Sequence, residues 1–370
     1  MWSRWLKGPG LALAIIWLVA CATVGERSKG PTDTPEHHYI AGQSFLEQKK
    51  YGSALAEFER AKALDPKYAP AFEGIALAQL ALRNLPRAGE AADTAKDLDG
   101  TYARGYLASG RVQAAQGHLK AAVRDFTQAL EINPQYVQAY YYRGETHMQR
   151  FDFTQAERDF DSALQIRPTY AAARTAWERS MKIRLAVPGT HIGKKIVLVD
   201  PITRADLAAL IATEFSLERA LRRRRPEIFD PTFRPARDTR WSPPNLPPIR
   251  DVDGHWAKGF IELVTALYLM ETFPDRTFRP DAIVDRASYA MAIQQILSIV
   301  DDDDGLRRKF IGSVSPFPDV RNDHFAYNAI MLATTRGMLE ARTGSGAFNL
   351  TGSMSGADAL LGLRKLAELF

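Results

Sequence analysis

The most reactive side chain in the sequence is a single thiol, Cys21, and its surroundings narrow what it can do. One cysteine can build neither an intrachain disulfide nor a cysteine-rich zinc site. It follows Leu18-Val19-Ala20 at the end of the apolar run Leu11 to Val19, which Arg4 and Lys7 precede. A charged start and a short apolar stretch make a secretory signal, too short for a spanning helix. Catalytic patterns are missing elsewhere. The seven histidines form no metal-ligand pair, no His-Glu-x-x-His occurs, and no phosphate-cradling glycine loop precedes Lys-Ser/Thr. Gly352-Ser353-Met354-Ser355-Gly356 carries methionine where a nucleophile elbow needs serine. Asp301 to Asp304 lacks the spaced ligands and terminal glutamate of a calcium loop and reads as solvated. No catalytic residue, metal ligand or cofactor is therefore expected.

What remains is recognition chemistry. Arg104 and Arg111 lie two turns apart on one helix face, where they can hold a partner's carboxylate or stand as solvated charges. Arg204 and Arg286 open helices, where a guanidinium fork, free backbone N–H groups and the positive helix end suit a carboxylate. The same arginines can instead join neighbouring elements through salt bridges. Trp256 can stack on a sugar face or pack into a core. The run Arg222 to Arg225 can touch phosphate or acidic glycan, or serve as a solvated helix end.

The elements that position these groups follow from length and period. At 370 residues the chain needs two or three domains, and 46% hydrophobic with 25% charged residues is a folded, globular composition. The net charge of +5 favours anionic surfaces, but the basic residues are not interleaved with aromatics on a nucleic-acid fold, so no nucleic-acid partner is expected. Pro66, Gly100, Pro134 and Pro168 recur every 34 residues, as do Tyr68, Tyr102, Tyr136 and Tyr170. Gly42, Ala76, Gly110 and Gly144 keep the step, with two alanine series through Ala54 to Ala156 and Ala61 to Ala163. Small residues at two heights let paired helices approach, Phe58, Phe126 and Phe160 fill the space between neighbours with Ala92 the smaller exception, and each Pro or Gly ends a second helix.

These residues resemble the tetratricopeptide repeat family over residues 35 to 170, with a covering helix from Ala171 to Val187. The resemblance implies a superhelix whose first helices line a groove for a peptide or protein partner. By repeat position that groove comprises Tyr39, Gln43, Leu46, Glu73, Leu77, Leu80, Arg104, Leu107, Arg111, Tyr141, Glu145 and Met148. The tetrad ending in Cys21 resembles the lipobox of bacterial lipoproteins. That implies cleavage after Ala20, diacylglyceryl and N-acyl chains on Cys21, and, with Ala22 next, delivery to the outer membrane of a diderm host, facing the periplasm or the cell surface.

Beyond Val187 the period stops. Thr203-Arg204-Ala205-Asp206, Asp251-Val252 with His255-Trp256-Ala257, and Phe273-Pro274-Asp275 through Phe278-Arg279-Pro280 resemble the S-layer homology family. The best module runs from Asp251 through a helix Trp256 to Leu269 and the Phe273–Pro280 loop to a helix opened by Asp285-Arg286-Ala287 and ending at Leu297, with Thr272 and Arg276 replacing two loop glycines. The first module lacks the Asp-Val/His-Trp start and can borrow the helix after the repeats. The third, with Phe317-Pro318-Asp319 and His324-Phe325-Ala326, has Met354-Ser355-Gly356-Ala357-Asp358 where the arginine motif belongs. The resemblance implies a three-lobed helical bundle that binds acidic wall polysaccharide between lobes through Arg204, Asp251, Trp256 and Arg286.

The expected chain is thus all-α: signal peptide 1–20, tether 21–35, tetratricopeptide domain 36–187 and S-layer-homology-like domain 188–370, with modules near 188–225, 249–300 and 315–370. Its expected role is a non-enzymatic, lipid-anchored envelope scaffold that holds a protein partner in the repeats and wall polymer or peptidoglycan in the bundle. The alternative is an assembly or secretion accessory whose C-terminal modules are only structural.

Overall fold

The computed structural model describes residues 30–215, 248–342 and 344–370. The signal segment, Cys21, the arginine run and most of the proline-rich loop that follows it lie outside the described residues. The described residues form α-helices, one short 3-10 helix and two isolated antiparallel bridges. The chain divides into two compact units at Tyr136/Val137.

Among the described residues the first unit has six helices in three pairs: α1 (Pro35–Glu47) with α2 (Tyr51–Leu64), α3 (Ala69–Ala81) with α4 (Leu85–Leu98), and α5 (Ala103–Ala115) with α6 (Leu119–Ile132). Thr34 starts α1 by accepting a hydrogen bond from the His37 N–H, and Pro35 occupies the first turn, where no N–H is needed. Ala54, Ala61, Ala88, Ala95, Ala122 and Ala129 are fully buried, so helix backbones meet at close range. The glycines are size-matched to phenylalanines: a Cβ on Gly42 would lie 2.5 Å from the Phe58 ring, and one on Gly110 would lie 2.5 Å from Phe126. The second pair places Ala76 and Ala92 at these positions, both buried, trading a large-small contact for two small residues.

The second unit opens with another pair, α7 (Val137–Gln149) and α8 (Phe153–Ile166), with Phe160 buried against Gly144. Next comes α9 (Ala171–Ala186), which packs on α8 from one side and on the chain's last helix from the other. A short α10 (His191–Ile196) leads to α11 (Arg204–Glu214). Then come α12 (Lys258–Ala266), α13 (Arg286–Asp301), α14 (Tyr327–Thr335) and α15 (Gly356–Ala367), and the helices pack across successive segments, α11 on α12, α13 on α14 and α15 on α9.

Three equivalent segments before α11, α13 and α15 meet in a closed ring of backbone bonds. Val284 N–H donates to Ile202 O at 3.0 Å, Ile202 N–H to Met354 O at 3.0 Å, and Met354 N–H to Val284 O at 2.9 Å. These three side chains are buried at the centre. One residue later, Thr203, Asp285 and Ser355 each cap their helix with a side-chain oxygen. The bundle is therefore three lobes joined at their helix openings. Helix α9 fits as the first helix of lobe one, because left-handed residues close α9, α12 and α14 alike at Val187, Tyr268 and Gly337.

Two helices differ from the sequence expectation. The helix expected from Trp256 to Leu269 spans only Lys258–Ala266, and the one expected to end at Leu297 continues to Asp301.

Candidate functional site

In the first unit the chemistry gathers around a buried carboxylate. Glu73 on α3 is 1% exposed and accepts hydrogen bonds from the Tyr39 hydroxyl at 2.7 Å and the Tyr102 hydroxyl at 3.4 Å. Arg104 on α5 reaches within 4.0 Å of the second carboxylate oxygen and lies over the Tyr39 ring at 5.7 Å, with nearly half its side chain exposed. Burial raises the Glu73 pKa, opposed by the Arg104 charge, the two tyrosine hydroxyls and Arg111. Burial pulls the Arg104 pKa down, but Glu73 and the surrounding tyrosines outweigh it, and the net direction is up. Tyr136 is pushed up to about 12, chiefly by burial. The result is a fixed guanidinium presented among phenol rings, able to receive an acidic group.

The structure thus brings together Tyr39, Glu73, Arg104 and Arg111 from the expected groove, and adds Tyr102 and Tyr136 of the 34-residue tyrosine ladder. The Gln43 amide nitrogen is buried without a hydrogen-bond partner among the described residues. Leu46, Leu77 and Leu80 pack, partly buried, against the apolar cluster of the first three pairs. Leu107 is 6% exposed and belongs to the interior, which corrects its assignment to the groove.

In the second unit Tyr141 and Glu145 lie on α7. Burial pushes Tyr141 up to about 12, with Glu145 adding to it, and burial also raises Glu145 against the charge of Arg179. Met148 is 5% exposed and sits in the core, a second correction.

The bundle's arginines serve a different purpose from the expected one. Arg204 donates from Nε to Phe278 O at 2.8 Å and from Nη2 to Glu271 O at 2.9 Å, with its guanidinium over the Phe278 ring at 4.5 Å. Arg286 repeats this on the next lobe, to Phe348 O at 2.7 Å and Glu340 O at 2.6 Å, over Phe348 at 4.6 Å. Each fork edge is thus filled by loop carbonyls of the following lobe. Burial lowers both pKa values. The expectation of free sugar-binding forks, and of salt bridges as the joint, gives way to carbonyl and ring contacts.

Asp251 prepares one of these loops by accepting from Phe278 N–H at 2.8 Å and Arg279 N–H at 2.7 Å. Asp319 does the same for Phe348 and Asn349 at 2.7 and 2.6 Å. Its pKa falls because these backbone donors outweigh the effect of burial. Asp251 is therefore placed as a loop clamp rather than a ligand contact.

Trp256 is 57% exposed just before α12, edge-on to Phe260, so core packing is excluded. Phe325, its counterpart before α14 in the His324-Phe325-Ala326 motif, is 78% exposed. The histidine preceding each aromatic accepts the N–H two residues on, His255 from Ala257 and His324 from Ala326.

The third joint has no arginine at its opening. A Cβ at Gly356 would lie 1.8 Å from the Ile196 carbonyl oxygen. Arg364, two turns into α15, takes over: it donates to Ala186 O at 3.1 Å, Val187 O and Glu214 O at 2.9 Å each, and the Glu214 carboxylate. Glu214 also accepts from Gly189 N–H, Thr190 N–H and the Thr190 hydroxyl. Burial works to raise its pKa, but these bonds and Arg364 bring it down. Neither residue belongs to a local pattern that sequence reading could have used.

Among the described residues, two open grooves lie at the arginine joints. One, of about 540 Å³, is lined by Arg204, Phe273, Pro274, Gln295, Arg307 and Phe325. The other, of about 380 Å³, includes Lys182, Arg286, Glu340, Arg342, Asp358 and Lys365. Among the described residues no His, Cys, Asp and Glu cluster could hold a metal, and no helix is long and apolar enough to cross a membrane.

Comparison with known proteins matches the chain to two families. The tetratricopeptide repeat family matches residues 39–103 and 103–171, and the S-layer homology domain matches 248–290. A cellulosome-anchoring protein of Acetivibrio thermocellus is 34% identical over 82 residues, 22% of this chain and 17% of that protein. Cell surface glycoprotein 1 of the same organism is 33% identical over 85 residues, 23% of this chain and 3% of that protein. The chain thus spans less than a fifth of either relative. The crystal structure of TTC0263, a thermophilic TPR protein of Thermus thermophilus, is 21% identical, with a TM-score of 0.38, covering 50% of this chain and 94% of that one.

Proposed function

We propose that this chain, which carries tetratricopeptide repeats followed by an S-layer homology domain, is a non-enzymatic scaffold of the cell envelope. Lipid on Cys21 holds it to a membrane, the repeat groove holds a protein partner, and the bundle meets an acidic wall polymer or peptidoglycan. The observation that carries the reading is the pairing of two recognition surfaces in one chain, Arg104 set over Glu73 among tyrosines and the two open inter-lobe grooves. Both have the form of ligand-holding sites, polar groups fixed by neighbours beside exposed aromatic or apolar surface. The relatives, named for anchoring and for the cell surface, favour the envelope.

The test has two arms. The full chain, in mild detergent, should sediment with wall sacculi, and recovery in the supernatant would remove the wall contact. Palmitate labelling in cells should be abolished by Cys21→Ala; label retained by that variant would remove the lipid site. One observation favours the second reading, an assembly or secretion accessory with purely structural modules: both opening arginines are engaged by loop carbonyls. Sedimentation decides between the two.

A further inference from the structure

Within the second unit α7 and α9 meet at the end of the repeats, and α7 carries Tyr141 and Glu145 one turn apart on its groove row. Met148, the next position of that row, is in the core, so the row stays open only as far as Glu145. Glu145 is half-buried, yet its carboxylate accepts no hydrogen bond and makes no ion pair among the described residues. Other buried carboxylates of the chain are answered: Glu73 by two tyrosine hydroxyls, Asp159 by the Arg143 fork at 2.9 and 2.6 Å, and Glu214 by Thr190 and Arg364. Withdrawing a carboxylate from water without a donor is unfavourable, and a ligand that brings the donor recovers that free energy on binding.

Arg179 on α9 acts on Glu145 only through its field, because its Nη2 donates to the Leu198 carbonyl oxygen. The tyrosines beside Glu145 add a second attraction for positive charge. The Tyr141 ring lies edge-on to Tyr142 at 5.1 Å and to Tyr170 at 5.5 Å. Neighbouring rings already hold cations of the chain itself, Arg143 over Tyr140 at 5.6 Å and Arg167 over Tyr170 at 6.0 Å, whereas Tyr141 holds none among the described residues.

We infer that Tyr141 and Glu145 form a cation-recognition point at the end of the repeats, and that the partner segment held there presents a protonated nitrogen to it. The nitrogen has two sources, a lysine or arginine side chain or a free amino terminus. The assignment rests on the reading of the repeats as a protein-binding surface. It gives this end a preference opposite in sign to that of the Arg104 cluster in the first unit, which presents a cation.

The test selects a random dodecapeptide library, displayed on phage, on the full chain in mild detergent and counter-selects it on the Glu145→Gln variant. Peptides held by the first and not by the second should be recovered, and synthetic copies should bind Glu145→Gln about tenfold more weakly in fluorescence anisotropy. Glu145→Gln should melt no lower than the unaltered chain, since it loses an unpaired charge rather than a bond; a lower melt makes Glu145 a structural residue and overturns the assignment. Arg179→Ala should bind the copies at least as tightly, a competing cation having gone, and a loss there instead moves the contact to Arg179 and overturns it. Replacing the peptide's basic residue with norleucine, or acetylating its amino terminus, identifies the bound nitrogen; loss in either arm keeps the assignment and retention in both overturns it. Recovery only of peptides that bind both chains alike overturns the assignment and leaves the protein-binding reading intact. No peptide held by the unaltered chain overturns the two together.

Discussion

Glu73 shows how one buried carboxylate can set the character of a groove. Its pKa is raised, so the folded chain holds the proton more tightly than the unfolded chain. Stability should therefore decline as pH rises from the ordinary carboxylate value of 4.5 through the raised one. Glu73→Gln should flatten that part of the pH–stability curve, as measured by denaturant unfolding. Glu73→Leu should cost about 1–3 kcal/mol below pH 4.5 by stranding the Tyr39 hydroxyl, and less at higher pH. His38, at the start of α1, gives the same sign by the opposite balance of causes. Its ring nitrogens lie 2.6 Å from Glu57 and 2.8 Å from Asp33, with Arg60 on the same aspartate and His37 edge-on. Burial lowers its pKa, but the two carboxylates outweigh it and the net direction is up from 6.5. The stabilisation is complete below 6.5 and is lost as pH rises through the raised value. Amide exchange near Thr34 should quicken over that range, and His38→Gln should abolish the dependence. The sequence carried the Tyr39, Glu73 and Arg104 cluster through the repeat step alone. It could not give Arg364 with Glu214, because residues 150 apart meet only after the lobes close.

At the scale of elements, the bundle's joints make a consensus-like change harmful. Gly356→Arg would restore the arginine of the other two openings, yet its Cβ would meet the Ile196 carbonyl at 1.8 Å. The expected cost is about 1–3 kcal/mol from forced backbone shifts, read as a lower melting temperature. Arg364→Ala should cost on the order of 3 kcal/mol, since it leaves the Glu214 carboxylate 1% exposed without its cation. The loop between α12 and α13 offers a gain. Arg276 stands at φ 62° where the family's loop carries glycine, so the tight turn survives with a strained residue. Arg276→Gly should stabilise by about 0.5–1 kcal/mol in thermal melts, the left-handed strain relieved slightly exceeding the added unfolded-state entropy. The 34-residue step made all eight repeat helices legible, because each boundary carries its own proline, glycine or turn polar residue. Trp256 was harder to place: helical periodicity suggested a core position, but α12 begins at Lys258, so the rule did not reach it.

At the scale of the molecule, α9 is the element with two duties. Ile183 and Ala186 are fully buried, and the helix lies between α8 and α15. Composition and period put a boundary at residues 187/188, since the repeat ends there. That boundary falls inside the second compact unit, because the first lobe has no other opening helix and Arg364 ties α15 to the carbonyls of Ala186 and Val187. A chain cut at residue 188 should consequently behave worse than one cut before α7. The fragment 188–370 lacks both the apolar face that covers α15 and the acceptors for Arg364, leaving Leu360, Leu363 and Leu366 short of cover. The fragment 137–370 keeps them all. We expect the longer fragment to unfold in one cooperative thermal transition, and the shorter to melt broadly, with fast amide exchange throughout α15. Equal cooperativity in both fragments would mean that α9 belongs to the repeats alone. The bundle would then close without the helix that supplies Lys182 to the groove beside Arg286.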